Sequence, residues 1–208
     1  MPMNIVFDFG AVVFSWRPDE IVRAMFPQQA ATTAAARKLA GDIFHHGDWH
    51  DFDRGTIAQD AVAERTARRL GLPQPAMQGL VAAIPHHLTP IQDTVDLLTR
   101  LRERRDARGD IRLYYLSNMP APYARFLEQR HAFLQWFDGG IFSADVQSIK
   151  PQPDIFRLLE SRYTLAPQRT VFIDDLPANV EAARAHGWHA IHFVSATQLE
   201  PLLASHII

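Results

Sequence analysis

The 208 residues are 47% hydrophobic and 21% charged, with a formal net charge of −2; this is the balance of an ordinary globular chain, with room for one sizeable domain or a core with a modest insertion. So small a charge gives no general attraction to nucleic acid or to an anionic membrane. The absence of cysteine excludes disulfides, thiolate metal sites and cysteine nucleophiles.

The start, Met1-Pro2-Met3-Asn4, lacks the basic segment of a secretory signal, and Asp8 interrupts the first apolar run. No stretch approaches the roughly 18 apolar residues of a membrane span. A cytoplasmic protein without a membrane partner is expected. The first element is a buried strand, Asn4-Ile5-Val6-Phe7, continuous rather than alternating in its apolar residues. Residues 15–88 then read as several helices with no convincing strand. Within them, Thr56-Ile57-Ala58-Gln59 has the form of a capping box and Gly71 of the matching stop. The alanine-rich stretch Gln29 to Ala36 reads as helix surface. Thr89-Pro90-Ile91-Gln92 is a second capping box, opening a helix through Val95, Leu97, Leu98 and Leu101. The basic run Arg100 to Arg108 suits the solvated end of that helix, where cations complement the dipole. Further strands follow at Leu113-Tyr114-Tyr115-Leu116, more weakly at Gly140-Ile141-Phe142-Ser143, then at Thr170-Val171-Phe172-Ile173 and Ala190-Ile191-His192-Phe193-Val194. A helix runs from Pro177 to Gly187, and Ser195 with Gln198 caps a last one.

Strands alternating with helices predict an α/β fold with a parallel sheet covered on both faces. The helical block is too long for a simple crossover. It is expected to be an inserted helical domain over 15–88, the core being discontinuous over 1–14 and 89–208.

In open parallel sheets, ligands gather beyond the carboxyl ends of the strands. The polar residues at those ends are Asp8, then Ser117 and Asn118, then Asp174 and Asp175, with Lys150 between them in Ser148-Ile149-Lys150-Pro151. Three carboxylates repel one another unless a cation joins them, and hard oxygen donors suit Mg²⁺. An aspartate attacking phosphorus gives an acyl phosphate that water can hydrolyse. Ser117 and the Asn118 amide can donate to phosphate oxygens, and Lys150 can neutralise charge and hold Asp8.

These residues lie in four segments that resemble the motifs of the haloacid dehalogenase superfamily. Phe7-Asp8-Phe9-Gly10-Ala11-Val12-Val13 looks like the first and Leu116-Ser117-Asn118 like the second. Lys150-Pro151-Gln152-Pro153-Asp154-Ile155-Phe156 looks like the third. Phe172-Ile173-Asp174-Asp175, with Asn179 and Ala182-Ala183-Arg184-Ala185-His186-Gly187, looks like the fourth. The four stand in family order and span nearly the whole chain. The resemblance implies a three-layer Rossmann-like core with a mobile helical cap. It also implies a phosphatase with Asp8 as nucleophile, Ser117 and Lys150 beside it, and Mg²⁺ held by Asp8, the Gly10 carbonyl, Asp175 and Asp174. Phe44-His45-His46-Gly47-Asp48-Trp49 through Asp53-Arg54-Gly55-Thr56-Ile57 resembles the cap of the branch containing α-D-glucose-1-phosphate phosphatases, near the phosphatase half of soluble epoxide hydrolases. The implied partner is a small phosphorylated metabolite, such as a sugar phosphate, bound by a monomer or homodimer.

Gly10 departs from the family pattern, because most of its phosphatases carry a second aspartate there as general acid and base. The site would then favour leaving groups that need little protonation, such as an anomeric sugar oxygen, or borrow an acid from the cap or from water. A 2-haloacid dehalogenase would attack carbon without metal and would typically lack the paired late acids. A catalytically impaired phosphosugar-binding protein is a further alternative, and a phosphomutase a weaker one. His45, His46 and His50 invite a transition-metal reading, which Gly47 and the missing glutamate weaken. Trp16, Arg17, Trp49 and Arg54 are open to two readings, cleft lining or packing and salt bridging.

Overall fold

The computed structural model describes residues 2–206; the two ends of the expected core unit, residue 1 and residues 207–208, lie outside the described residues. Five strands form one sheet: β1 (Met3–Phe7), β2 (Ile111–Ser117), β3 (Gly139–Phe142), β4 (Thr170–Asp174) and β5 (His189–His192). Their spatial order is β3-β2-β1-β4-β5, and every neighbouring pair is parallel. Successive side chains of a strand point to opposite faces, and here both faces are covered. Ile5, Phe7, Leu113, Val171 and Ile173 enter one hydrophobic cluster, while Val6, Tyr114, Leu116 and Phe172 enter another. This is why these strands read as unbroken apolar runs.

Eleven α-helices are described. α1 (Pro18–Met25), α2 (Thr33–Phe44), α3 (Gly47–Asp53), α4 (Gln59–Leu70) and α5 (Gln74–His87) precede α6 (Gln92–Arg108) and α7 (Ala121–Arg130). After β3 come α8 (Ser143–Val146) and α9 (Pro153–Tyr163), then α10 (Pro177–Ala185) and α11 (Ala196–Ala204). α6, α7 and α11 cover the first face through Leu97, Leu98, Leu101, Leu127, Leu199 and Leu203. α9 and α10 cover the second through Ile155, Phe156, Leu159 and Ala183. The result is a three-layer α/β fold, as the alternation of elements implied. No described helix is long and apolar enough to cross a membrane.

Helices α1 to α5 fall within 15–88 and pack on one another, α1 against α2 and α5, α4 against α3 and α5. Besides apolar packing, two hydrogen bonds among the described residues tie them to the sheet layer. The Tyr123 hydroxyl on α7 donates to the Val81 carbonyl at 2.6 Å, and the Ser143 hydroxyl donates to the Asp53 carbonyl at 2.5 Å.

Two of the three expected capping boxes do not form. Thr89 hydroxyl pairs with that of Ser15 at 2.8 Å, and α6 starts at Gln92, whose amide instead donates to Asp96 at 2.7 Å. The tie between the two chain crossings at Ser15 and Thr89, reinforced by Ser15 N–H to Thr89 O at 2.7 Å, competes for the same hydroxyl. Thr56 likewise donates to the Asp51 carbonyl at 3.0 Å, closing the end of α3, and α4 begins at Gln59. Ser195 does cap α11, accepting from the Gln198 N–H at 3.2 Å, and Gly71 ends α4 with φ of 64°. The alanine-rich stretch is not all helix surface: residues 29–32 precede α2, and Ala30 and Ala36 are completely buried. β5 stops at His192, because Val194 swings out to 70% exposure as the chain turns into α11.

Candidate active site

β1 lies between β2 and β4, so the direction of winding reverses there, and the crevice beyond the strand ends opens at this point. Register brings the chemistry together. Phe7 pairs with Ile173, and the Asp8 N–H donates to the Ile173 carbonyl at 2.9 Å, which sets Asp8 beside the end of β4.

Lys150 is the centre of the cluster. Its Nζ lies 2.8 Å from Asp8 Oδ1 and 2.6 Å from Asp174 Oδ2, with all three side chains buried. Burial alone would lower the lysine pKa, but the two carboxylates and their hydrogen bonds more than offset it, and the shift is upward. Lys150 is placed by Asn118, whose side chain accepts from the Lys150 N–H at 2.8 Å and donates to its carbonyl at 3.0 Å. The turn after β2 thereby fixes the loop before α9.

Asp8 Oδ1 also accepts the Phe9 N–H at 2.7 Å. Both of its bonds fall on one oxygen, and Oδ2 has no partner among the described residues. Asp174 is bound on all sides. Oδ1 accepts from the Leu176 N–H at 2.8 Å and the Asn179 amide at 3.0 Å, while Oδ2 takes that amide at 3.0 Å together with Lys150. Asp175 is half-buried, and burial followed by the Asp174 charge pushes its carboxyl up to about 6. Burial also pushes Asp8 up, with Asp174 and Asp175 adding to the shift and Lys150 opposing it.

Asp8, Asp174 and Asp175 each offer an oxygen within 4.8 Å of the others, the one such group of ligating side chains among the described residues. Fully ionised, the three carboxylates and Lys150 leave two negative charges. Burial is the main reason that the Asp8 and Asp175 carboxyls are raised, and the neighbouring carboxylates add to it. A hard divalent cation fits this all-oxygen donor set.

Ser117, Asn118, Lys150, Asp175 and Gly10 line one cavity with Asp8, of about 830 Å³. Asp174 lies behind them with no exposed surface. The Ser117 hydroxyl has no partner among the described residues. The far walls are Trp16, Phe44, Trp49, Ile84, Leu88 and Tyr123 from the helical block and α7, with Arg54 at the end of α3. Arg17 is elsewhere; it is exposed and pairs with Glu20 at 3.4 Å, because proline at the next position starts α1 and turns it outward. His46 caps α3, its Nδ1 accepting the Asp48 N–H at 3.1 Å, which separates its role from that of His45 and His50 on the cavity wall.

The charge motifs exposed most of this site in the sequence. They missed the clasp made by the Asn118 side chain and the part played by Asn179. They also missed Asp53, which lines the same cavity. The only signal for Asp53 was its place in the run Asp53-Arg54-Gly55.

The chain is similar in sequence and fold to known proteins. A haloacid dehalogenase-like hydrolase family model matches residues 50–187, more than half of the chain. A sesquiterpene phosphatase of Aspergillus oryzae is 26% identical over 192 residues, covering 92% of this chain and 89% of its own length. The phosphoglycolate phosphatase of Escherichia coli is 30% identical over 132 residues, 63% of this chain, which spans about half (49%) of that relative. The crystal structure of a HAD family enzyme of Bacteroides thetaiotaomicron superposes with a TM-score of 0.74 at 18% identity, covering 97% of this chain and 98% of that one. With a parallel sheet wound about β1, an aspartate at its end and a matching family model over residues 50–187, the chain belongs to the haloacid dehalogenase-like hydrolases.

Proposed function

We propose that the chain is a Mg²⁺-dependent phosphatase that takes the phosphoryl group of a small phosphorylated metabolite onto Asp8 and releases it to water. The observation that carries this reading is the charge balance: three carboxylates gathered around one buried ammonium, two negative charges in excess. A dehalogenase attacking carbon has no use for that excess, which would repel a haloacid. The phosphatases among the sequence relatives support the same reading.

Asp8, Asp175 and the Gly10 carbonyl would hold the magnesium ion, with Asp174 as second support; bound there, it supplies positive charge that lets an anionic carboxylate approach an anionic phosphate. Lys150 holds Asp8 through Oδ1, which orients Oδ2 for in-line attack on phosphorus. An ammonium has three N–H groups; two serve Asp8 and Asp174, and the third is available to a phosphoryl oxygen. The Ser117 hydroxyl and the Asn118 N–H donate to the remaining oxygens, in positions fixed before the substrate arrives. Water then attacks the aspartyl phosphate and restores Asp8.

Residues 15–88 serve as the cap of this core, made of 1–14 and 89–208. The aromatic and aliphatic wall they contribute favours an organic group with apolar surface over a small hydrophilic one such as glucose 1-phosphate. Release of inorganic phosphate from a panel holding glucose 1-phosphate and prenyl and aryl monophosphates, with and without Mg²⁺, tests both levels. Metal-dependent turnover that disappears in Asp8→Asn supports the phosphatase. Turnover of glucose 1-phosphate in preference to the apolar esters overturns the substrate preference, and no turnover at all overturns the phosphatase.

A further inference from the structure

A phosphomonoester leaves as an alkoxide unless a proton reaches its oxygen, and the position two residues after the nucleophile holds Gly10, which has no side chain to give one. Asp53 is the carboxyl group in the cavity that no other role consumes. It lines the same cavity as Asp8 and Lys150. Its side chain has no ion pair or hydrogen bond among the described residues. The neighbouring cation is taken away from it, since Arg54 Nη1 donates to Asp51 at 2.8 Å.

The backbone of Asp53 is tied to the phosphate end of the sheet. One hydroxyl, that of Ser143, donates to the Asp53 carbonyl at 2.5 Å and accepts the Met119 N–H at 2.8 Å. Met119 follows Ser117 and Asn118 directly. Gly55 continues the contact: φ is 75°, and a Cβ there would stand 3.0 Å from Ala144. The turn Asp53-Arg54-Gly55 therefore sits flush on the start of α8, a placement that neither a side chain at 55 nor a looser turn would allow.

We infer that Asp53 is the general acid of this enzyme, replacing the carboxyl group absent at position 10. This rests on the phosphatase reading. In the first half-reaction the Asp8 Oδ–P bond forms and the P–O bond to the leaving group breaks. The Asp53 carboxylic acid passes its proton to that oxygen, releasing the alcohol and leaving an Asp53 carboxylate. In the second half-reaction that carboxylate takes a proton from the attacking water, which yields hydrogen phosphate, the Asp8 carboxylate and the Asp53 acid again.

The protonation state agrees. Burial pushes the Asp53 carboxyl up to about 8; Lys150 and Arg54 oppose the shift, and Asp8 adds to it. The group is thus an acid at neutral pH, as a proton donor must be. The other titratable or charged groups on the cavity wall are Asp19 and Arg37, which pair with each other at 3.8 Å, Tyr123, His45, His50 and Asp175. Burial and the Arg54 charge lower the pKa of His50, which makes it a poor donor.

The test is the dependence on leaving group. Asp53→Asn should lower kcat for an alkyl phosphate by about 10²–10⁴-fold. It should leave the first-turnover burst of p-nitrophenolate from p-nitrophenyl phosphate, a leaving group that needs no proton, within a few-fold, because the lost base slows only the second half-reaction; that burst also shows that the variant is folded. The alkaline limb of the alkyl phosphate profile should disappear in Asp53→Asn and persist in His45→Gln. A Cβ at Gly10 meets nothing within 4 Å, so Gly10→Asp in the Asp53→Asn background should restore alkyl turnover. Equal losses in the first-turnover rates of both esters, or none on either, overturn the acid while leaving the phosphatase standing. A wild-type protein inactive on both esters overturns the phosphatase and the acid together.

Discussion

Replacing Lys150 with methionine keeps most of the side-chain volume and removes one positive charge from between two carboxylates. The lysine side chain is 1% exposed, Asp174 0% and Asp8 9%, at 2.6 and 2.8 Å. Water therefore cannot take over the role of the ammonium, as it would at a surface pair. Breaking a buried pair by removing one partner costs about 3–5 kcal/mol, because it strands the remaining charge. A chain of this length loses about 2–4 °C in Tm for each kcal/mol, so thermal unfolding in metal-free buffer should fall by about 6–20 °C. The deficit should also depend on pH. Asp8 already has a folded pKa raised by burial to about 7, and a group raised in this way contributes stability that is present below its unfolded pKa and lost as pH rises through the folded one. Without Lys150 the folded pKa rises further, so the penalty is full in strongly alkaline buffer, shrinks as pH falls toward about 7 and levels off below it. Phosphatase activity should be lost at every pH, since Asp8 is no longer oriented. A pH-independent loss of less than about 1 kcal/mol, the scale of a surface pair, would refute the assignment of Lys150 as the electrostatic centre.

Asn179→Ala removes two hydrogen bonds of 3.0 Å from the Asp174 carboxylate; activity should fall about 10–100-fold, with a higher Mg²⁺ concentration needed for half-maximal rate. Ser117→Ala should lower kcat by about 10²–10³-fold with an unchanged Tm, because its hydroxyl donates only in the transition state; stopped-flow or steady-state phosphate release measures it. Gly55→Val forces a branched side chain into a positive φ against Ala144. It should cost about 1–3 kcal/mol by chemical denaturation and weaken alkyl phosphate turnover more than aryl, since the same turn carries Asp53.

The sequence by itself determined the sheet and most of its chemistry. Strands buried on both faces must be apolar throughout, so Ile5 to Phe7 and Val171 to Ile173 announce themselves, and a charged residue closing such a run, Asp8 or Asp174, has few structural reasons to be there. The local readings fared less well where a hydroxyl had two possible partners. Thr89 and Thr56 carry the right spacing for a cap, yet each is claimed by a backbone or side chain that only the folded chain brings near, Ser15 in one case and the Asp51 carbonyl in the other. The same limit hid the working parts of the site. Asn118 and Lys150 are 32 residues apart, and Ser143 and Asp53 are 90 apart; no periodicity or motif records such contacts. Whether a lone aspartate on a helix end is a solvated cap or a half-buried acid depends on what the fold places around it, because desolvation, which raises its pKa, is a property of the assembled cavity and not of the residue. At Asp53 the tertiary structure alone made that choice.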